Sequence, residues 1–233
     1  MKILTENDAK KLLAKYGIPV TEGSIARSPE EALKIAARIG APVAMKISSP
    51  DIPHKTDVGG VELNVKAEEV KAAYSGILER VRKTVPDANI EGILVQQMAP
   101  PGHEIIVGLK KDAQFGHALM FGLGGIFVEV YRDVSFRVVP IGKKEAFAMI
   151  SEIKGYPILK GIRGKKPADI DSIARVLISV SALAEKERII ELDINPLMVD
   201  ENGAVAVDAR AMIENIGGGN EAAQTEKGKL RVD

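Results

Sequence analysis

Residues 191–210 read ELDINPLMVDENGAVAVDAR, and the fold turns on how this stretch is parsed. Ile190, Leu192 and Ile194 alternate with Glu191, Asp193 and Asn195, the period of two expected of a half-buried strand. Val205 and Val207 precede Asp208 as a second strand. Asp200, Asn202 and Gly203 supply the turn, because short polar side chains bond locally and Gly tolerates positive φ. A hairpin parsed in this way brings Asn195 and Asp208 within side-chain reach across the pair. One neutral and one anionic oxygen donor suit Mg²⁺ held partly by protein and partly by polyphosphate. A plain hairpin with its polar residues in water is the other reading of the same spacing.

Working outward, composition removes several classes of function. The 233 residues hold enough core for one large domain or two intimate lobes. Lys plus Arg equals Asp plus Glu at 32 each, so no charge asymmetry argues for nucleic acid or an acidic membrane. Aromatic residues are only 4%, leaving few platforms for stacking bases. There is no Cys, which excludes disulfides, thiolate metal sites and cysteine nucleophiles. No apolar run approaches the ~18 residues of a membrane span, and the amino terminus lacks a signal-like apolar core. The expectation is a cytoplasmic protein with neither nucleic-acid nor membrane partners.

Upstream, helix and strand patterns alternate. Thr5 to Asp8 resembles a capping box before a helix with Ala9, Leu12, Leu13 and Tyr16 on one face. Ser28 and Pro29 open a second helix, which Gly40 ends. Residues 42–49, PVAMKISS, form an apolar strand carrying one Lys. Val61, Leu63 and Val65 alternate as another strand, and a longer helix follows from Val70 to Val81. ILVQQM and HEIIVGLKKD then read as strands on either side of the Pro100-Pro101-Gly102 turn. Further β runs are expected at His117–Phe121 and Ile126–Val139, and helices at Lys143–Ile153 and Ile170–Glu185. The pattern predicts a mixed α/β (α+β) chain of two lobes, residues 1–94 and 95–215, with 216–233 as a flexible tail.

Familiar nucleotide and zinc motifs are missing: there is no G-x-x-x-x-G-K-[ST], no G-x-G-x-x-G and no H-E-x-x-H. Lys46 is the first candidate for chemistry. A Lys within an apolar strand costs several kcal/mol unless its ammonium meets an anion or reaches water. A phosphate oxygen would satisfy it, and so would an outward-facing edge position. Gly59 and Gly60, in the adjoining loop, permit close backbone approach and an anion-binding nest, although a glycine pair also serves a simple turn. His54 in the same loop is either a surface residue or a nucleophile toward phosphorus. His103 and His117 have no comparable setting.

Three blocks carry a family resemblance: VAMKISSPDIPHKTDVGGVELNV, VQQMAPPGHEIIVGLKKDAQFGHALMFGLGGIFVEVYRDVSFRVVP, and the hairpin itself. Together they closely resemble the ATP-grasp subunit of ADP-forming acyl-CoA synthetases. Within that group the acetate–CoA ligase (ADP-forming) β subunit matches best, and the succinyl-CoA synthetase β subunit is more distant. The resemblance implies the ATP-grasp fold, with ADP or ATP and Mg²⁺ between two lobes. Lys46 then binds nucleotide phosphates, and backbone groups of Val95, Gln96, Gln97 and Met98 hold adenine. Glu104 bonds the ribose, and Asn195 and Asp208 are the magnesium ligands. Asp193 contacts a phosphohistidine, and His54 stands where acetate-type members have a histidine proposed to carry the phosphoryl group.

The implied reaction is acetyl-CoA + ADP + phosphate = acetate + ATP + CoA, run through phosphohistidine intermediates. It needs a separate CoA-binding α subunit, as an α₂β₂ heterotetramer. Two alternatives within the superfamily are a nucleotide-sensing regulatory subunit without turnover and a succinate-type CoA ligase β subunit. A self-contained carboxylate–amine ligase would need a further substrate lobe. The acyl group, the preference for ADP over GDP, the direction of reaction and the roles of Glu129, Arg132, Asp133 and Arg163 are left open by the sequence.

Overall fold

Caps decide where the first elements begin. β1 (Lys2–Leu4) leads into α1 (Glu6–Lys15), where Thr5 Oγ1 accepts from the Asp8 N–H at 3.4 Å. After Gly17, whose φ of 74° only glycine adopts readily, the chain enters β2 (Gly23–Ala26). Ser28 Oγ then accepts from the Glu31 N–H at 3.2 Å and opens α2 (Pro29–Ile39). β3 (Val43–Ser48), β4 (Val61–Val65), α3 (Val70–Thr84) and β5 (Gly92–Gln97) follow. The second half comprises β6 (His103–Asp112), β7 (Gly116–Leu123), β8 (Val134–Val138), α4 (Lys143–Glu152), α5 (Tyr156–Leu159) and α6 (Ile170–Lys186). β9 (Ile189–Asp200), β10 (Gly203–Ala206) and β11 (Ala209–Ile213) are the last elements of the described residues.

This is a computed structural model, and it describes residues 1–125, 128, 130–162 and 166–214. The expected tail at 216–233 lies outside the described residues, as do Glu129 and Arg163. Of the β run expected at Ile126–Val139, only Val134–Val138 is strand (β8); 130 and 131 form a turn and 132–133 are not strand, so the run begins later than the apolar pattern suggests, and residues 126, 127 and 129 lie outside the described residues.

Two antiparallel sheets result. The smaller has the order β2-β5-β3-β4; the larger runs β1-β11-β9-β6-β7-β8, with β10 also paired to β9. Alternation sorts each sheet into a helix-covered face and an open one. In the small sheet Val43, Met45, Ile47, Ile93 and Val95 pack against Ala32, Ala36, Val70, Ala73, Tyr74 and Ile77 of α2 and α3. Lys46 and Gln96 therefore point the other way. In the large sheet Ile105, Val107, Leu109, Leu119, Phe121, Leu192 and Ile194 pack under Ala146, Met149, Ile173, Leu177, Val180 and Leu183 of α4 and α6. Ala9 and Leu13 of α1 join that second core, and β1 pairs with β11. Thus residues 2–15 lie with the large sheet, although the sequence division of 1–94 groups them with the first lobe.

Asp133, open in the sequence, has a local structural task. Its carboxylate accepts from the N–H groups of Lys154 (2.7 Å) and Gly155 (2.6 Å), pinning the turn between α4 and α5. Arg132, just before it, sits at φ 49°.

Candidate functional site

The hairpin register is unbroken through the point that matters. β10 pairs with β9 from Gly203↔Asp200 to Ala206↔Leu197, and β11 resumes at Ala209↔Ile194. Between them Val207 N donates to Pro196 O (3.0 Å) and Asn195 N donates to Asp208 O (3.2 Å). Asn195 and Asp208 are thus directly opposed. At the tip Asp200 Oδ1 accepts from Asn202 N (2.7 Å) and Gly203 N (3.1 Å), fixing the turn. One feature departs from simple alternation. The buried residues of β9 are Ile189, then Leu192 and Ile194, then Leu197 and Val199, so within the hairpin the pattern slips by one at Pro196. In β10 the alanines Ala204 and Ala206 are buried against α6, and the expected strand residue Val205 faces the opposite way.

The open face of this hairpin consequently presents Val205 and Met198 at one end, Asn195 and Asp208 in the middle, and Asp193 opposite Arg210 at the other. Glu104 on β6 stands opposite Met198, and Gly108 opposite Asp193. From Met198 to Asp193 is about 17 Å of strand. A cleft of about 440 Å³ opens over the far end, lined by Pro53, His54, Lys55, Thr56, Asp193, Asn195, Asp208 and Arg210. A smaller one of about 290 Å³ lies at the near end, where Gln97 and Met98 of the hinge meet Met198, Val199 and Val205.

Between these clefts sits a charged cluster. Lys46 is 5% exposed, and its ammonium donates to Glu6 Oε1 (2.8 Å), Val207 O (3.2 Å) and Asp208 Oδ2 (3.3 Å). Lys55 donates to Asp208 Oδ2 (3.2 Å) and lies 3.0 Å from Glu6 Oε2, off the direction of a hydrogen bond. Lys10 donates to Glu6 Oε1 (2.9 Å), Thr21 Oγ1 (2.9 Å) and Gln96 Oε1 (2.5 Å). Three ammoniums face two carboxylates, so the cluster carries one net positive charge (3 − 2) and suits an anion.

The electrostatics follow from burial and partners. Burial pushes the Glu6 carboxyl up, but Lys46, Lys10 and Lys55 together outweigh it and bring it down to about 2. Burial pulls the Lys10 ammonium down to about 8; Glu6 offsets part of the drop and Lys46 deepens it. Burial also acts against the Lys55 ammonium, yet Glu6 and Asp208 prevail and hold it above the usual lysine range. The Asp193 carboxyl is raised by burial, which Arg210 only partly counters while Asp208 and Glu191 add to it.

Most of the expected residues converge here: His54, Asp193, Asn195 and Asp208 line the larger cleft, and Lys46 bonds Asp208 behind it. His54 is exposed at the rim. Others are placed differently. The N–H of Gly59 donates to Thr56 O (3.1 Å) and that of Gly60 to Lys55 O (2.8 Å), so both are spent inside their own loop. A Cβ at Gly60 would meet Ile47 Cγ2 at 2.6 Å, which gives that glycine a packing reason instead. Val95 and Gln96 pair on both sides within the sheet, and the Gln97 N–H donates to Glu22 O (2.8 Å). Of the hinge, Met98 is the residue beyond the ladder. The Gln96 side chain is buried, holding Lys10 and donating to Val207 O at 3.4 Å. Sequence reasoning missed Glu6, Lys10, Lys55 and Arg210. Lys55 and Arg210 each lie within two residues of a named candidate. Glu6 and Lys10 look like an ordinary i, i+4 helix pair.

A two-sheet cleft with a strand lysine facing an Asn/Asp hairpin defines a class, and the chain belongs to the ATP-grasp domain family, whose model matches residues 1–213. More particularly, it falls with the β subunits of ADP-forming acetate–CoA ligases. It is 51% identical to the acetate–CoA ligase [ADP-forming] I subunit beta of Pyrococcus furiosus over 90% of this chain and 91% of that one. Among solved structures it resembles the dinucleotide-forming acetyl-coenzyme A synthetase 1 of Ca. Korarchaeum cryptofilum in complex with coenzyme A, Ca-AMPCP and HgCl⁺. There the TM-score is 0.89 at 50% identity, over 91% of this chain and 94% of that one. A second structure of that protein, with coenzyme A and Mg-AMPPCP, has its phosphohistidine segment pointing towards the nucleotide-binding site. It matches with a TM-score of 0.80 at 45% identity, over 91% and 93%.

Proposed function

We propose that this chain is the nucleotide-binding β subunit of an ADP-forming acyl-CoA synthetase of the acetate type. With a CoA-binding α subunit in an α₂β₂ assembly, it catalyses acetyl-CoA + ADP + phosphate = acetate + ATP + CoA. The observation that carries this reading is the opposition of Asn195 and Asp208 beneath the Lys46 and Lys55 ammoniums, with His54 at the rim of the same cleft.

The donor set fits a magnesium nucleotide. The Asp208 side chain is 24% exposed toward the cleft, and Asn195 opens into it beside Asp208. One carboxylate and one amide oxygen are hard donors. Among the described residues no group of three or more His, Cys, Asp or Glu gathers to hold a metal unaided. A cation here therefore draws the rest of its shell from phosphate oxygens and water. Bound magnesium would neutralise charge spread over the transferring phosphoryl group.

The protein's own residues do the rest. Met98 and the hinge backbone border the adenine, Glu104 bonds the ribose, and Lys46 with Lys55 holds the phosphates. An imidazole nitrogen of His54 attacks phosphorus of the partner's phosphohistidine; the new N–P bond forms as the old one breaks. A β-phosphate oxygen of ADP then attacks, the His54 N–P bond breaks, and the P–O bond of ATP forms. Asp193 contacts the imidazole of the partner's phosphohistidine, orienting that ring, and Arg210 opposite it balances its charge. Gly59 and Gly60 shape the loop that carries His54. We further propose that the smaller and larger sheets act as the two ATP-grasp lobes.

The test is to mix the purified chain with its α subunit and follow ATP formed from ADP, phosphate and acetyl-CoA. A nucleotide sensor would bind ADP yet form no ATP and no acid-labile phosphohistidine.

A further inference from the structure

Glu6 stands at the centre of the charged cluster, yet no step above uses it. It lies in the first turn of α1, on the large-sheet side, while Lys46 and Lys55 come from β3 and the loop beyond it. Three ammoniums converge on its carboxylate: Lys46 and Lys10 on Oε1, at 2.8 and 2.9 Å, and Lys55 at 3.0 Å from Oε2. A merely structural ion pair has no reason to gather three cations of which two also hold a second carboxylate at the mouth of a cleft.

The two shared carboxylates differ in one decisive respect. The Glu6 side chain is 4% exposed and that of Asp208 is 24%. An anion entering the cleft therefore competes with Asp208 for the two lysines and cannot reach Glu6. All three N–H groups of Lys46 are taken, by Glu6, Val207 O and Asp208. Releasing Asp208 frees one donor on each of Lys46 and Lys55 while Glu6 keeps its grip on both. Lys10 braces Glu6 in turn, because it is fixed to Thr21 and to Gln96 of the hinge strand.

Resting on the nucleotide reading of the cleft, we propose that Glu6 is a positioning residue for the phosphate-binding lysines. It is the fixed counter-ion that holds Lys46 and Lys55 aimed at the cleft, and Asp208 is the partner they exchange for polyphosphate. Without the Glu6 charge, three buried ammoniums share one carboxylate and repel one another where the dielectric is low. They then turn away from the mouth, and the loss falls on phosphate binding rather than on transfer.

The experiment compares wild type, Glu6→Gln and Glu6→Asp by calorimetric titration with Mg-ADP and, with the α subunit present, by steady-state kinetics. Circular dichroism first establishes that each variant is folded. Glu6→Gln keeps the shape and loses the charge; it is expected to bind Mg-ADP about tenfold more weakly. KM for ADP should rise by a similar factor while kcat at saturation stays within about threefold of wild type. Glu6→Asp keeps the charge, but its carboxylate is one methylene too short to span both lysines, so an intermediate loss of about threefold is expected. Folded Glu6→Gln with wild-type affinity overturns the proposal. Should Glu6→Gln not fold, Glu6→Asp decides, and unchanged affinity there overturns it equally. Wild-type protein that binds no Mg-ADP would instead sink the nucleotide reading itself, before any variant is compared.

Discussion

At Glu6, burial and charge pull in opposite directions, and charge prevails. With its carboxyl held at about 2 in the fold against an ordinary 4.5, the ionised form is favoured by folding. The sign follows by linkage: this stabilisation is fully present above pH 4.5 and is lost as pH falls through about 2. Chemical denaturation between pH 5 and 2 should therefore show stability falling through that window, and Glu6→Gln should flatten this part of the curve; an unchanged slope would detach Glu6 from the lysines. His54 calls for a different measurement, since it is exposed and its removal costs little in packing. His54→Ala should retain ADP binding within about threefold, because the proposed role of its imidazole is that of a nucleophile and not a phosphate contact. Transfer of a labelled phosphoryl group from the α subunit to ADP should vanish. Full turnover by this variant would remove His54 from the mechanism.

Among the elements, the strand–turn–strand at the end of the chain places more of the site than any other, and its pairing was legible because alternation and turn chemistry agree. What alternation did not reveal is the slip at Pro196, which turns Met198 and Val205 toward the open face. A period-two pattern is blind to one extra residue on each strand. The strand around Lys46 was equally readable, and so was its need for an anion. Its anions in the structure are Glu6 and Asp208, 40 residues before it and 162 after it, and no local pattern reports contacts so distant. The glycines of the His54 loop mark where backbone must turn, which the sequence does show; which way their N–H groups point is decided by tertiary packing. Asp133 illustrates the same limit, because a lone acid before a strand says nothing of two N–H groups twenty residues on. Asp133→Ala should cost roughly 2–4 kcal/mol by leaving those donors at Lys154 and Gly155 without their charged acceptor. Thermal melts should show the loss, with Mg-ADP affinity unchanged at temperatures where the variant is folded. A matching loss of affinity would place Asp133 in the site.

Across the whole molecule, the two sheets touch the same few side chains: Lys46 and Gln96 from the smaller, Val207 and Asp208 from the larger, and Glu6 and Lys10 from the helix packed on the latter. Buried ion pairs of this kind add little net stability, since desolvation offsets much of the attraction. A cluster with one net positive charge between two lobes is, however, a place where a bound anion stabilises the entire fold. Ligand that binds only the folded state contributes about 2.7 kcal/mol at a hundred times its dissociation constant. For a domain of this size that corresponds to a rise in melting temperature of roughly 5–10 °C. Mg-ADP should produce such a rise, and adding EDTA should reverse most of it, because on the proposed reading the Asp208 carboxylate without a cation only adds negative charge beside the phosphates. Asp208→Asn should weaken the response to magnesium while leaving two lysines free to hold ADP, so its shift should depend less on the metal. Lys46→Met should lose the shift with and without metal. An equal rise for ADP in EDTA and in magnesium, in wild type and Asp208→Asn alike, would show that the opposed Asn195 and Asp208 hold no cation.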